Sequence, residues 1–183
     1  MKMTHIRPNR LLSIVQKINT GFDFSEKLRR AALSAAFNSQ IKYAGTTGIS
    51  VRAWDEQHAI GFLKNRWHIR NHLGGIHATA AATLAESVTG MVFGVHVPDT
   101  HVPLLKSIQI DYNRVAKGSL RAYAKITPDQ IEDIRTSDKG STIIHVQVTD
   151  DEDKEPISAK LEWAWRKKRS PAAVAEPGEV KKE

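Results

Sequence analysis

One stretch of this chain holds the residue types from which an oxyanion site and a reactive carboxylate can be built: Asn71-His-Leu-Gly-Gly-Ile-His77-Ala-Thr-Ala-Ala-Ala-Thr-Leu-Ala-Glu86-Ser-Val-Thr-Gly90. A polar loop comes first, and Gly74 and Gly75 give it the freedom to turn tightly. The run after Ile76 is small, apolar and free of proline, so it predicts a helix whose first N–H groups, from Ala78 onward, face the loop. Such an end attracts anions and developing oxyanions. Glu86 is the single ionisable group inside that helix. Partial removal of a lone carboxylate from water raises its pKa and equips it as an acid, a base or a nucleophile. The same residue also has a plainer reading, because Glu86 falls opposite the Leu84, Val88 and Met91 stripe, where an ordinary surface glutamate would sit. Asn71 likewise has the plainer role of closing a turn.

The elements that must position these residues can be read from periodicity. Leu11, Leu12, Val15 and Ile18 recur at helical spacing, and Leu28, Ala31, Ala32 and Ala35 resume the pattern after Ser25, giving a broken helical arm over residues 8–36. Gly48 to Trp54 and His58 to Leu63 alternate as two strands around the turn Asp55-Glu56-Gln57. Beyond the helix, Pro98, Asp99 and Pro103 mark a loop. Four β-type segments follow, Leu105 to Asn113, Leu120 to Ile126, Ser141 to Thr149 and Ile157 to Trp165, with the polar stretch Asp129 to Gly140 read as a connection. Strands joined by hairpins make an antiparallel sheet, and the one long helix must cover a face of it. The expectation is an α+β fold in three parts: arm 1–36, domain 37–168 and a disordered tail 169–183 rich in Pro, Ala, Glu and Lys.

Composition excludes several classes. The 183 residues are 40% hydrophobic and contain no cysteine, so disulfides and thiolate metal sites are out, and a cytoplasmic protein is expected. No run approaches the ~20 apolar residues of a membrane span, and the first residues lack a secretory h-region. His68, His72, His96 and His101 do not make a metal site by spacing: His72 and His77, like His96 and His101, are five apart without an acidic cluster. A net charge of +7 and a pI near 9.7 favour an anionic partner, but no nucleic-acid recognition motif accompanies them. Trp54, Trp67, Trp163 and Trp165 read as core or interface anchors, with Trp163 and Trp165 on one strand face.

A strand pair, a long apolar helix and several antiparallel strands resemble the hotdog fold, and the motif resembles that of acyl-CoA thioesterases of the phenylacetate-pathway type, in their uncharacterised branch. Asn71, Gly74, His77 and Glu86 fall at the spacings of that family's Asn-x-x-Gly-x-x-His-Gly-Gly followed by an acid, and Ile110-Asp-Tyr112 with Ala116-Lys-Gly118 resembles its later strand and turn. The likeness spans roughly residues 37–165. Two features depart from it: His77-Ala78-Thr79 replaces His-Gly-Gly, and Glu replaces the commoner Asp.

The resemblance implies hydrolysis of an acyl thioester, without a cofactor or metal, by a homodimer or a dimer of dimers. The Ala78 N–H, with Asn71, would hold the thioester oxygen, and Glu86 would attack or activate water. His77 would shape the loop or contact the carbonyl region. Gly74, Gly75, Ile76, Thr79, Thr83 and Ser107 are the expected substrate contacts, and Leu84, Val88, Phe93 and Tyr112 the expected pocket lining. Lys64, Arg66, Arg70, Lys106, Arg114 and Lys117 offer charge to a coenzyme A or acyl-carrier phosphate. His77 and Glu86 are nine residues apart, which on a helix is a rise of about 13.5 Å with opposite facing. They cannot meet within one subunit, so a twofold axis would have to bring two copies together. The competing readings are a non-catalytic thioester-binding or structural hotdog protein, and hydratase or dehydratase chemistry on the same class of substrate.

Overall fold

The computed structural model describes residues 8–168. The expected tail 169–183 lies outside the described residues. Three helices, not one broken arm ending at residue 36, precede the first strand: α1 (Arg10–Gly21), α2 (Glu26–Gln40) and α3 (Lys42–Thr47). Each of the first two begins where a side chain takes over an orphan N–H, with Asn9 Oδ1 accepting from Leu12 at 2.7 Å and Ser25 Oγ accepting from Leu28 at 3.4 Å. Asn38, in the last turn of α2, donates from Nδ2 to the Ile49 carbonyl at 3.0 Å. Gly48, at φ +77°, ends α3 and turns the chain into the sheet.

Six strands form one antiparallel sheet: β1 (Ile49–Trp54), β2 (His58–Leu63), β3 (His101–Tyr112), β4 (Leu120–Lys125), β5 (Lys139–Asp150) and β6 (Ile157–Lys167), in the order β1-β2-β4-β5-β6-β3. The long helix α4 (Ala78–Gly94) lies on one face of it. Leu84, Ala85, Val88 and Val92 are fully buried there. Contact with β2 is as close as it can be: a Cβ on Gly61 would stand 2.6 Å from Val88 Cγ2 and 2.9 Å from Leu84 Cδ1. Trp163 and Trp165 share the helix-facing side of β6, where both rings lie against Phe93.

Two connections differ from the sequence reading. The polar stretch after β4 contains a helix, α5 (Pro128–Thr136), which is opened by a capping box: Thr127 Oγ1 accepts from Gln130 N at 3.3 Å, and Gln130 Oε1 accepts from Thr127 N at 2.9 Å. Pro103 lies within β3 and not in a loop. Among the described residues β3 pairs only with β6, so its other edge is unpaired and a residue without an N–H is tolerated there.

The two sheet edges are treated differently. Along β1, the Val51 N–H donates to Ser34 Oγ of α2 at 2.8 Å and the Ile49 carbonyl accepts from Asn38, so α2 occupies that edge. Along β3 the side chains turned toward α4 lie beyond its cover: Ile108 is 42% and Tyr112 51% exposed.

Candidate functional site

The loop before α4 is built around Asn71. Its Oδ1 accepts from the N–H groups of Leu73 (2.9 Å) and Gly75 (3.2 Å), and its backbone exchanges hydrogen bonds with Gly75 O (2.8 Å) and Gly74 N (3.0 Å). Gly74 sits at φ +79°, the left-handed region the turn requires. An isolated bridge between Arg70 and Ile76 and a bond from the His77 N–H to Ile69 O (2.8 Å) clamp the two ends of the loop together. Asn71 therefore shapes the helix entry, with its carboxamide engaged by the loop itself.

His77 is the N-cap of α4. Its Nδ1 accepts from Thr79 N at 3.2 Å and lies 2.8 Å from Thr79 Oγ1. Among the described residues the N–H groups of Ala78 and Ala80 have no protein acceptor. Seventeen residues of aligned peptide dipoles stand behind them, so the helix start is ready to stabilise a negative oxygen. Tyr112 Oη, from the far end of β3, donates to Ala78 O at 2.8 Å, and burial pushes its phenol above the usual range.

Glu86 lies two turns further along α4. It is half-buried, and its carboxylate makes no hydrogen bond or ion pair among the described residues; burial alone pushes it above the ordinary glutamate range. It opens into a cleft of about 610 Å³ between α4 and the helical arm. Thr83, Ser87, Gly90 and Met91 line the cleft from α4, and Trp163 from β6. Gly90 is needed for this packing, since a Cβ there would be 3.0 Å from the Trp163 ring, whose Nε1 donates to Thr89 Oγ1 at 3.0 Å.

Within one chain the two halves stay apart. Ala78 and Glu86 are eight residues apart, about 12 Å along the helix. Asn71, Gly74, Gly75, Ile76, His77, Ala78 and Thr79 gather at the helix start, whereas Thr83 joins Glu86 in the cleft, its Oγ1 donating to Thr79 O at 2.9 Å. Ser107 is on the opposite face of the sheet, at a bulge beside Glu162, whose carboxyl is held low by Lys106, Ser141 and Ser107. Leu84, Val88 and Phe93 do not line the cleft, because they face the sheet and are fully buried against it. Of the cations, Lys106 is paired with Glu162 (2.7 Å) and Arg114 with Asp150 (3.3 Å) and Glu152 (3.1 Å), while Arg70 Nε is held by Asn65 Oδ1 at 2.9 Å. The arm residues of the cleft, Leu11, Ile14, Phe37, Ile41 and Tyr43, were not identified by sequence as site residues; the signal was there in α1, where Ile14 continues the apolar stripe of Leu11, Val15 and Ile18 yet is 47% exposed.

Residues 29–165 match a family model described as "Domain of unknown function (DUF4442)". The chain belongs to the DUF4442 family. This DUF4442 chain is similar in structure to a Pseudomonas aeruginosa protein, PA5026, described as a "Probable Thioesterase", at TM-score 0.67 and 20% identity, over 74% of this chain and 93% of that one. It is similar also to a mutant of the thioesterase PA1618 from Pseudomonas aeruginosa (TM-score 0.61, 16% identity, 73% and 94% covered) and to the thioesterase HI1161 from Haemophilus influenzae (TM-score 0.56, 14% identity, 68% and 82% covered). At these identities the likeness is one of fold, and that fold is the hotdog. No curated protein matches the DUF4442 chain by sequence. Among its described residues no helix is long and apolar enough to cross a membrane.

Proposed function

We propose that this protein is a thioester hydrolase, acting as a homodimer on an acyl group carried by coenzyme A or an acyl-carrier protein in the cytoplasm. The observation that carries the reading is Glu86: a half-buried carboxylate with no partner among the described residues, raised in pKa by burial and opening into a cleft. The folded likeness to proteins described as thioesterases supports the choice of reaction class.

In this reading the thioester carbonyl oxygen rests on the free N–H of Ala78, with the α4 dipole favouring the charge that builds there. Glu86 takes a proton from the water that attacks the carbonyl carbon and passes it to the sulfur as the C–S bond breaks; alternatively its carboxylate displaces the thiolate, and water then hydrolyses the resulting acyl–Glu86 anhydride and supplies the proton of the thiol. His77 and Asn71 hold the loop that aims the N–H. Two copies are needed. The unpaired edge of β3 and the uncovered Ile108 and Tyr112 favour a second copy joining there, antiparallel about the strand centre. A twofold axis near residues 106–107 sets Tyr112 of one strand opposite residue 101 of the other. Because Tyr112 is hydrogen-bonded to Ala78 and Pro103 borders the Glu86 cleft, that pairing carries one copy's helix start toward the other copy's carboxylate.

The test is thiol release from short, medium, long and aromatic acyl-CoAs by wild type, Glu86→Ala and Asn71→Ala at matched folded concentration. Turnover that falls at least 100-fold in Glu86→Ala while the dimer persists supports the proposal. A folded wild type that releases no thiol from any substrate moves the reading to a non-catalytic thioester-binding hotdog protein.

A further inference from the structure

The cleft beside Glu86 has a direction and an end. From Glu86 it follows one face of α4 through Ser87, Gly90 and Met91 to Gly94, eight residues and about 12 Å. On the α4 side this floor is made of small or flexible residues. On the other side stand Leu11, Ile14, Phe37 and Ile41 of the arm, with Trp163 of β6 closing the flank. At the far end the first turn of α1 narrows it, where Leu11 Cδ2 would stand 3.4 Å from a Cβ on Gly94, and the Arg10–Asp99 ion pair (3.7 Å) makes a polar rim there.

The arm wall is anchored at both ends of α1. Asn9 Nδ2 donates to Gly94 O (2.9 Å) and Val97 O (2.6 Å), tying the start of α1 to the end of α4. Asn19 Nδ2 donates to Trp54 O at 2.8 Å, tying its last turn to β1. Val15, between these ties, is fully buried. Residues 10–21 precede the family match, which begins at residue 29.

We propose that the cleft receives the acyl chain of the substrate, that this chain is a straight aliphatic one of about eight to ten carbons, and that Leu11 and Ile14 set its length. The proposal rests on the thioester-hydrolase reading. With C–C bonds of about 1.5 Å, an extended alkyl chain advances about 1.3 Å per carbon, so 12 Å between Glu86 and the Leu11 stop holds about nine carbons. The lining of that run is mainly apolar, with Ser87 of α4 and Ser39 and Gln40 of α2 as its polar members, and the volume, about 610 Å³, is of the order that buries a small ligand. Leu11 and Ile14 are one turn apart on α1, so a larger group at Ile14 meets the chain before the end of the cleft, and a smaller one at Leu11 opens the stop.

The experiment measures binding and turnover separately. Non-hydrolysable alkyl-CoA thioethers of 4 to 16 carbons are titrated against wild type, Leu11→Ala and Ile14→Trp, reading the indole fluorescence of the cleft with Trp163→Phe as control; thiol release from the matching acyl-CoAs is measured beside it. Each added methylene is expected to tighten binding about fourfold up to eight to ten carbons, with no gain beyond. In Leu11→Ala the rising limb extends by about two carbons, and in Ile14→Trp it stops at about six. Ile14 is 47% exposed, so the second variant keeps its fold if the first does not. Identical chain-length profiles in the three proteins, no thioether binding, or tighter binding of a phenylacetyl than of a decyl analogue each overturn the proposal. Turnover with no dependence on these residues leaves the hydrolase reading standing without it, and a length-dependent binding ladder without turnover removes the hydrolase reading and keeps the cleft.

Discussion

Glu86→Gln should move stability and turnover in opposite directions. The carboxylate is half-buried, has no hydrogen bond or ion pair among the described residues, and is raised in pKa by burial alone. A carboxyl whose pKa is higher in the folded than in the unfolded chain binds its proton more tightly when folded. Its contribution to stability is therefore full below the unfolded value, near 4.3, and is lost as pH rises through the folded value. At pH 7 the charge works against the fold, and a neutral amide of the same shape removes that cost. Because about half of the group faces water, solvent screening reduces the gain to a few tenths of a kcal/mol, at most about 1 kcal/mol. For a chain of this size that is a rise in Tm of about 1–3 °C, read by differential scanning fluorimetry at pH 7 and shrinking toward zero at pH 4. Loss of the nucleophile or base should lower thiol release by 100-fold or more. A Gln variant that melts below wild type at pH 7 shows that Glu86 has a stabilising partner and refutes the electrostatic argument. One that keeps full turnover refutes its part in the chemistry.

Three further outcomes follow from the packing. Gly61→Ala forces a methyl to within 2.6 Å of Val88 Cγ2, about 1 Å inside normal contact, so thermal melts should show a loss of about 1–3 kcal/mol, and α4 displaced beside Glu86 should slow thiol release; a Tm within 1 °C of wild type contradicts this packing. His96 is 1% exposed, with Nε2 donating to Glu56 O (2.6 Å) and Nδ1 accepting from Arg135 (2.9 Å); burial, against the opposing pull of the Glu56 carbonyl and helped by the Arg135 charge, keeps its pKa below the usual histidine value. That stability is present above pH ~6.5 and is lost as pH falls through the folded value, so urea midpoints should drop between pH 6.5 and 5 in wild type and much less in His96→Gln. Ile108→Asp puts a charge on the uncovered side of β3 and should convert a dimer to a folded monomer by light scattering, with thiol release lost in parallel; an unchanged mass disproves the β3 interface.

The strands and α4 were legible because their patterns are local. Alternation in His58–Leu63 and the proline-free run after Ile76 each specify an element without reference to the rest of the chain. Pro103 misled because its meaning depends on whether a neighbouring strand needs its N–H, and that is decided by β3 being an edge. The helix α5 was hidden by polarity, although Thr127-Pro-Asp-Gln130 carried its capping box in plain sight. The motif loop was legible as a helix entry. Which residues surround Glu86 was not, because the cleft joins α1, α2, α4 and β6, and no spacing within one segment encodes a wall shared between segments as far apart in the chain as Leu11 and Trp163.

In the proposed dimer the arm removes an ambiguity of assembly. A six-stranded sheet has two edges, and two open edges permit chains to add without end. Here Ser34 and Asn38 of α2 take up the Val51 N–H and the Ile49 carbonyl, so β1 offers a second copy little to bind. Among the described residues only β3 keeps an open ladder together with exposed Ile108 and Tyr112. In the proposed assembly that one edge, paired with itself, closes a twofold dimer. The same α2 that blocks β1 supplies Phe37 to the cleft, and α1, packed beside it, supplies Leu11 and Ile14. In the proposed dimer, the arm that blocks β1 is thus also the wall that encloses the approach to Glu86.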